Sequence, residues 1–420
     1  MFVTNRVNYC GIKSVWFLST DDELVFLASA GIQEGESVSE TQILRHQLLT
    51  APMLTRSAMQ HHIEAFPLRG LLGVTGEDRM YYNTNAPGST VICGVQVSAK
   101  IFIHALSHTI GVRAQGRVTL AAFLSMSAPH IESVTPPRIT VLCSPSNITR
   151  RRQAYAALPE VRVEPLCLSE KDLTANRMLA IMGCDNLDAL FKTKLDSERL
   201  DNTQRAMIKL RMNLLDGFID SSAPQLEAYF AAGGLVLIDL TDPFLDGVTA
   251  ALFFDIVLGS FTQWRADCGK LVVLDEAHKY LTNDNAARLT QSLSNIIRLQ
   301  RHLGIRVVVA TQEPTVVPET ILDLSSIIIC HRFSSPAWCT YLARHVACSK
   351  DGADSGLAAT WFERVMSLRT GHALLFCPAA VMEVKHEGNG CVLLGSDCVG
   401  LCVRPRLTMD GGTSVLAAST

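Results

Sequence analysis

The segment Lys270-Leu271-Val272-Val273-Leu274-Asp275-Glu276-Ala277-His278 runs an apolar strand straight into two adjacent carboxylates. An acidic pair at the carboxyl end of a buried parallel strand faces the crevice where ligands bind in open α/β sheets. In that position Asp275 is suited to orient Mg2+ and its waters, and Glu276 to polarise an attacking water. A strand that merely ends in solvated charges is the alternative. Four consecutive apolar residues running directly into Asp-Glu favour the chemical reading.

Two further segments carry groups that such chemistry needs. Gly94-Val95-Gln96-Val97-Ser98-Ala99-Lys100-Ile101 follows the apolar run Thr90–Cys93 and precedes a helical pattern. That is the place of a phosphate-binding loop, G-x-x-x-x-G-K-[ST], in which backbone N–H groups cradle phosphates, the lysine neutralises them and the hydroxyl holds Mg2+. Gly94 and Lys100 have the right separation and Ser98 lies between them, but Ala99 replaces the second glycine and Ile101 the hydroxyl residue. Taken alone, a Gly and a Lys six positions apart are explained more simply by an ordinary strand-turn-helix. The other segment is Ile305–Pro314, a strand ending in Thr311-Gln312, where Gln312 is either a turn residue or a polar sensor beside the terminal phosphate and its attacking water.

Positioning these groups requires strands buried on both faces, and the chain is rich in them. From Ser89 onward, short runs of Val, Ile and Leu alternate with helically spaced segments, as in a parallel sheet. The runs are Thr90–Cys93, Val118–Leu124, Ile139–Cys143, Leu235–Leu240, Leu271–Asp275, Val307–Thr311, Ile327–Cys330 and Ala373–Phe376. They predict one large α/β domain, residues 86–412. Within it, residues 150–232 are charged and Leu/Met-spaced and read as a helical insertion. Residues 1–85 form a mixed preface with strand-like runs at Val15–Leu18 and Leu24–Leu27 and a helical stretch from about Glu40 to Ala65. Residues 413–420 are a tail.

Composition excludes several classes. With 48% apolar residues and a net charge of −3, the chain is neither disordered nor a passive nucleic-acid binder held by excess charge. The mean hydropathy of +0.21 raises the question of a membrane. Yet Val248–Phe261 and Ala373–Met382, broken by Asp255 and Pro378, are shorter than the ~18 apolar residues a spanning helix needs. The N-terminus lacks the pattern of a signal peptide, so an intracellular location, cytoplasmic or nuclear, is expected. The 13 scattered cysteines then read as reduced, buried small hydrophobes. Cys391, Cys398 and Cys402 with His386 lack the paired spacing of a zinc site.

The order of these elements resembles the HerA/FtsK class of P-loop ATPases, and more closely the HerA-like P-loop proteins of filamentous and mushroom-forming fungi. The resemblance spans about Gln42 to Gly412. It is carried by Asn83-Thr84-Asn85-Ala86-Pro87, Asp239–Phe244, Leu274–Leu281, His331–Pro336 and Val403–Thr408. It implies a RecA-like core, a mainly parallel sheet sandwiched by helices, with ATP and Mg2+ bound at the strand ends. It also implies a homo-oligomeric ring that moves DNA or another polymer. By the same resemblance Arg301, with Arg298 a turn earlier in Ile297–Gly304, becomes a finger reaching the neighbouring subunit's nucleotide. The alternative is a solvated arginine face near a helix C-terminus. Nucleic acid as partner rests on this analogy alone.

Intact relatives end the loop in Gly-x-Gly-Lys-Ser/Thr, where this chain has Val97-Ser98-Ala99-Lys100-Ile101. A Cβ at 97 and 99 crowds a loop that must approach phosphate closely, and Ile101 offers no oxygen to Mg2+. Two readings follow. One is an ATPase with Lys100 on phosphate, Asp275 on Mg2+, Glu276 as general base, Gln312 as sensor and Arg301 acting in trans. The other is a non-hydrolysing relative retained as a scaffold or ring subunit.

Overall fold

The structure is a computed structural model that describes residues 40–60, 62–66, 69–83, 86, 88–94, 138–156, 161–169, 171–172, 217–232, 234–240, 242, 245, 247–266, 268–282, 287–346, 355–385 and 390–404. In chain order the strands are β1 (Met53–Thr55), β2 (Arg69–Thr75), β3 (Asp78–Asn83), β4 (Ser89–Cys93), β5 (Ile139–Cys143), β6 (Val161–Pro165), β7 (Leu235–Asp239), β8 (Lys270–Leu274), β9 (Ile305–Thr311), β10 (Ile327–His331), β11 (His372–Phe376), β12 (Val381–Val384), β13 (Cys391–Leu393) and β14 (Val399–Val403). The expected strands Val15–Leu18, Leu24–Leu27 and Val118–Leu124 lie outside the described residues.

The chain divides into two compact units. The first holds an 11-stranded sheet in the order β13-β12-β1-β3-β2-β14-β11-β10-β4-β9-β8. Its last four strands, β10-β4-β9-β8, are all parallel. The continuous apolar character of these runs announces burial on both faces; β4 and β10 are buried along their whole length, whereas β8, the last strand of the order, is only partly buried, with Val273 37% exposed. From β10 to β3 the ladder is antiparallel. The α/β class therefore holds, whereas the sheet is mixed rather than mainly parallel. The tight hairpin between β2 and β3 is one cause: Thr75 pairs with Asp78, leaving a two-residue turn whose first residue is Gly76 at φ 60°.

That hairpin also alters the reading of residues 1–85 as a separate preface. The apolar residues of β1–β3 complete the same core as β4, with Met53, Leu72 and Met80 packed against Ile92, Val308, Ile329, Leu375 and Leu401. The helical stretch expected from Glu40 to Ala65 is interrupted by β1, with a short helix Arg56–Met59 and a 3-10 turn Ile63–Ala65 after it and its main helix over Glu40–Thr50. The end of that main helix is fixed by the buried Asn83 amide, which donates to the carbonyls of Leu49 and Ala51 at 3.0 and 2.7 Å. These are among the last carbonyls of a helix, which have no partner within it.

The second unit carries a parallel three-stranded sheet, β6-β5-β7. The runs at Ile139 and Leu235 thus pair with one another, Ile139 against Leu235, and not with β4. The predicted insertion is not wholly helical, since it supplies the short helix Ile148–Tyr155 and then strand β6; residues 173–216 lie outside the described residues. The apolar run Val248–Phe261 is the helix Gly247–Gln263, which buries Phe253, Ile256 and Val257 and stacks Phe253 on Phe218 at 4.2 Å. At the carboxyl end of this sheet Arg151 pairs with Asp239 at 3.3 Å. No helix among the described residues is long and apolar enough to cross a membrane.

The cysteines are only in part the buried hydrophobes expected. Cys93, Cys143, Cys330, Cys339 and Cys377 are buried, but Cys268 and Cys402 are exposed and Cys391 and Cys398 half-buried. In β14 alternate residues point to opposite faces, which puts Leu401 and Val403 in the core and Cys402 on the surface.

Candidate functional site at the carboxyl edge of the parallel strands

The register of the parallel strands brings their ends level. Leu274 of β8 lies beside Val309, Thr311 of β9 beside Cys93, and Cys93 beside Cys330 of β10. The residues that follow each strand, Asp275 and Glu276, Gln312, Gly94 and the β10 terminus at His331, therefore share one edge. A bond from the Gly94 N–H to the Thr311 carbonyl at 3.3 Å carries the β4–β9 ladder to the first residue of the loop segment.

Beyond Leu274 the chain turns sharply. Glu276 has φ 53° and ψ 40°, the left-handed conformation, and is the one non-glycine residue with positive φ among those described. Such a residue costs on the order of 1–3 kcal/mol and persists only where its surroundings hold it. Here the hold is explicit. The Glu276 N–H donates to Asp275 Oδ1 at 3.0 Å, and its carbonyl accepts from Lys279 N at 2.9 Å. Its carboxylate accepts from Gln312 Nε2 at 2.7 Å through Oε1 and 2.8 Å through Oε2. The turn swings His278 and Lys279 back toward the same group, with His278 Nε2 3.6 Å and Lys279 Nζ 3.5 Å from Oε2. Tyr280 closes the turn, its hydroxyl donating to the Asp275 carbonyl at 2.7 Å. Burial, and then the Asp275 and Glu276 carboxylates, push its phenol far above the usual range, so it stays a donor.

Gly94 is a glycine by necessity. At φ 146°, a Cβ there would stand 2.5 Å from the Cβ of His331. His331 is fully buried, with Nδ1 at 3.1 Å from the His372 carbonyl; since a carbonyl only accepts, Nδ1 carries the proton. Nε2 has no partner among the described residues, and burial holds the imidazole down to about 4. The ring is therefore neutral at pH 7. Nothing in the sequence singled out this close approach of two strands.

The structure thus brings Asp275, Glu276, Gln312 and Gly94 to one edge. Ser98, Lys100, Ala99 and Ile101 lie outside the described residues. Arg301 is not brought to this edge: it lies exposed in the short helix Gln300–Leu303, at the amino end of β9. The seven residues of β9 put about 20 Å between it and Gln312. Its neighbour there is His46, whose imidazole is lowered first by burial and then by the Arg301 charge. Gln312 follows β9, which lies between β8 and β4, with β10 beyond. The convergence of His278 and Lys279 on Glu276 escaped the sequence, because it depends on the left-handed turn at an acidic residue.

For a divalent cation the donor set is small. Among the described residues no group of three or more His, Cys, Asp or Glu side chains is arranged to hold a metal ion. The exposed Asp275 carboxylate alone suits Mg2+, which commonly takes one or two carboxylates and completes its shell with water and substrate phosphates.

Fold and site together define an α/β protein with a carboxylate pair and a bridging amide at the carboxyl edge of parallel strands. No family model and no curated protein matches the chain. Among solved structures it is similar to the bacterial conjugative coupling protein TrwB, at 11% identity and a TM-score of 0.44 over 81% of this chain and 90% of that one. It is also similar to VirB4 of Thermoanaerobacter pseudethanolicus, at 9% identity and a TM-score of 0.40 over 75% and 89%. A third is the genome packaging NTPase B204 from Sulfolobus turreted icosahedral virus 2 in complex with sulfate, at 10% identity and a TM-score of 0.33 over 73% and 95%.

Proposed function

We propose that the chain binds a nucleoside triphosphate at the carboxyl edge of β4, β9 and β8 and hydrolyses it, with Glu276 as general base. The observation that carries this reading is the Glu276 carboxylate held by the Gln312 amide from the next strand, beside Asp275. A carboxylate fixed at a strand end is placed to take a proton from water, a role that contributes typically 10²–10⁴-fold to a rate. Water attacks the γ-phosphorus and the new O–P bond forms as the bridging bond to the β-phosphate breaks. The diphosphate leaves and the water proton passes to Glu276. Lys100 neutralises the terminal phosphates, and Gln312 orients the carboxylate and, through it, the water. Asp275 would hold Mg2+, which when bound supplies charge neutralisation of the phosphates.

Ring assembly, Arg301 acting on a neighbouring subunit and nucleic acid as the moved polymer extend the proposal from the sequence resemblance. Ala99 and Ile101 favour the second reading, a subunit that grips nucleotide weakly and does not turn it over.

Measuring Mg-ATP affinity and turnover for the wild type, Glu276→Gln and the double variant Ala99→Gly, Ile101→Thr separates the two. Turnover that disappears in Glu276→Gln with affinity kept supports hydrolysis. Wild-type protein that binds nothing, with binding restored by the double variant, overturns it.

A further inference from the structure

The amide of Gln312 can meet the Glu276 carboxylate in one orientation only. A carboxylate oxygen accepts and does not donate, so the atom facing it must be the amide nitrogen, and Nε2 stands 2.7 Å from Oε1 and 2.8 Å from Oε2. Both are full hydrogen-bond distances. The amide thus turns its nitrogen to Glu276 and its carbonyl oxygen to other partners. Because the two atoms share one carbon, that oxygen lies beside the carboxylate and not behind it.

Among the described residues nothing donates to Gln312 Oε1. The backbone around it is pinned by the buried Thr311, whose hydroxyl accepts from the Glu313 N–H and donates to the Glu313 carbonyl, each at 3.0 Å. Gln312 therefore leaves β9 in a fixed direction. Its outward oxygen is an acceptor, and so is every oxygen of a terminal phosphate. Two acceptors without a proton between them repel, so in this orientation Gln312 has nothing to give a γ-phosphate. Water has two protons to give.

Resting on the hydrolase reading, we infer that Gln312 is a catalytic residue that accepts one O–H of the attacking water through Oε1, while Glu276 accepts the other. With both protons held, the free lone pairs of the water point away from the two acceptors, toward the phosphorus. As the new O–P bond forms and the bridging bond to the β-phosphate breaks, one proton passes to Glu276. The second stays on the attacking oxygen, now part of inorganic phosphate, and the nucleoside diphosphate leaves. Gln312 reads the nucleophile in this arrangement, and the terminal phosphate is left to groups that carry protons.

Two variants of the full chain test this. Gln312→Met keeps the length of the side chain and removes both faces of the amide. In steady-state Mg-ATP turnover it is expected to lower kcat about tenfold or more with KM within about twofold. The ratio of its affinities for ATPγS and ADP should stay within about twofold of the wild-type ratio, since no bond to the γ-phosphate is lost. A Met variant with unchanged kcat overturns the inference. One that loses affinity for ATPγS but not for ADP also overturns it, because the amide then donates to the phosphate.

Gln312→Glu sets a second carboxylate against Glu276, and two such groups in contact share one proton as the pH falls. The protonated carboxyl then donates to Glu276 and offers its carbonyl oxygen to water, as the amide does. Its kcat is expected to recover between about pH 8 and about pH 6 to within roughly threefold of the wild type at the same pH, while the Met variant stays low. A Glu variant as poor as the Met variant throughout overturns the acceptor role. A wild type that binds ATPγS without turning ATP over overturns the hydrolase reading and the role of the water with it, while the ATPγS and ADP affinities of Gln312→Met still decide whether the amide faces the phosphate.

Discussion

Replacing Gly94 by alanine probes the point where β4 gives way to the loop segment. Gly94 sits at φ 146°, and an added Cβ would come 2.5 Å from His331 Cβ, 3.2 Å from its Cα and 3.3 Å from its carbonyl carbon. Two penalties add. A non-glycine residue in a sparsely populated region of positive φ costs about 1–3 kcal/mol, and forcing a methyl group into filled space costs about 1–3 kcal/mol more. The obstructing atoms belong to a strand paired on both sides, with β4 and β11, so it cannot withdraw cheaply. The expected destabilisation is the sum, roughly 2–6 kcal/mol.

Gly304 provides the control, with φ 61° but nothing within 4 Å of its Cβ position. Gly304→Ala carries the backbone penalty alone, about 1–2 kcal/mol. Urea unfolding followed by tryptophan fluorescence reads both, with Trp16 and Trp264 replaced by Phe so that Trp338 and Trp361 report on the 11-stranded unit. Equal losses for the two variants would refute the close packing of β4 on β10.

Three further outcomes are expected. The His331 imidazole stays neutral down to about pH 4 in the folded chain but takes a proton below its ordinary 6.5 when unfolded. The unfolded state therefore binds more protons in that window, and stability present above pH 6.5 falls by about 3 kcal/mol toward pH 4. Urea midpoints from pH 7 to 4 check it, and a slope unchanged in His331→Leu would contradict it. Leu375→Ala, at a site with no solvent exposure, should cost about 2–5 kcal/mol, and Leu393→Ala, 53% exposed, under about 0.5 kcal/mol by the same denaturation. Burial pushes the thiols of Cys143 to about 11 and Cys377 to about 12; iodoacetamide at pH 8 should label the exposed Cys268 and Cys402 well before either, as mapped by peptide mass.

The sequence made the parallel part of the first unit legible because β4, β9 and β10 are buried on both faces, which writes continuous apolar runs into the chain. β1, β2 and β13 were not legible. β1 and β13 are three residues long, and β2, Arg69–Thr75, interrupts its apolar residues with Gly70 and Gly73. Which sheet a strand joins was beyond periodicity altogether, since β5 and β7 read like β4 yet pair with each other. At the site, Asp275, Glu276 and Gln312 stood out because charge or amide follows directly on an apolar run. The αL turn at Glu276 left no mark, since an acidic residue carries no local signal for positive φ, and the fit of His331 against Gly94 is a contact between residues 237 positions apart in chain order.

That separation sets a clock on assembly. β4 lies between β9 and β10, both of which leave the ribosome long after it, with the whole of residues 135–266 of the second unit translated in between. At about 5–20 residues per second, roughly 10–50 s pass before Cys93 meets Cys330. Throughout that interval the nascent chain carries an apolar strand whose pairing partners do not yet exist, beside an antiparallel hairpin that closes within microseconds. The edge that bears Glu276 is therefore among the last parts of the molecule to be completed, and a stalled or truncated synthesis product ending before β9 would expose β4 as a template for aggregation.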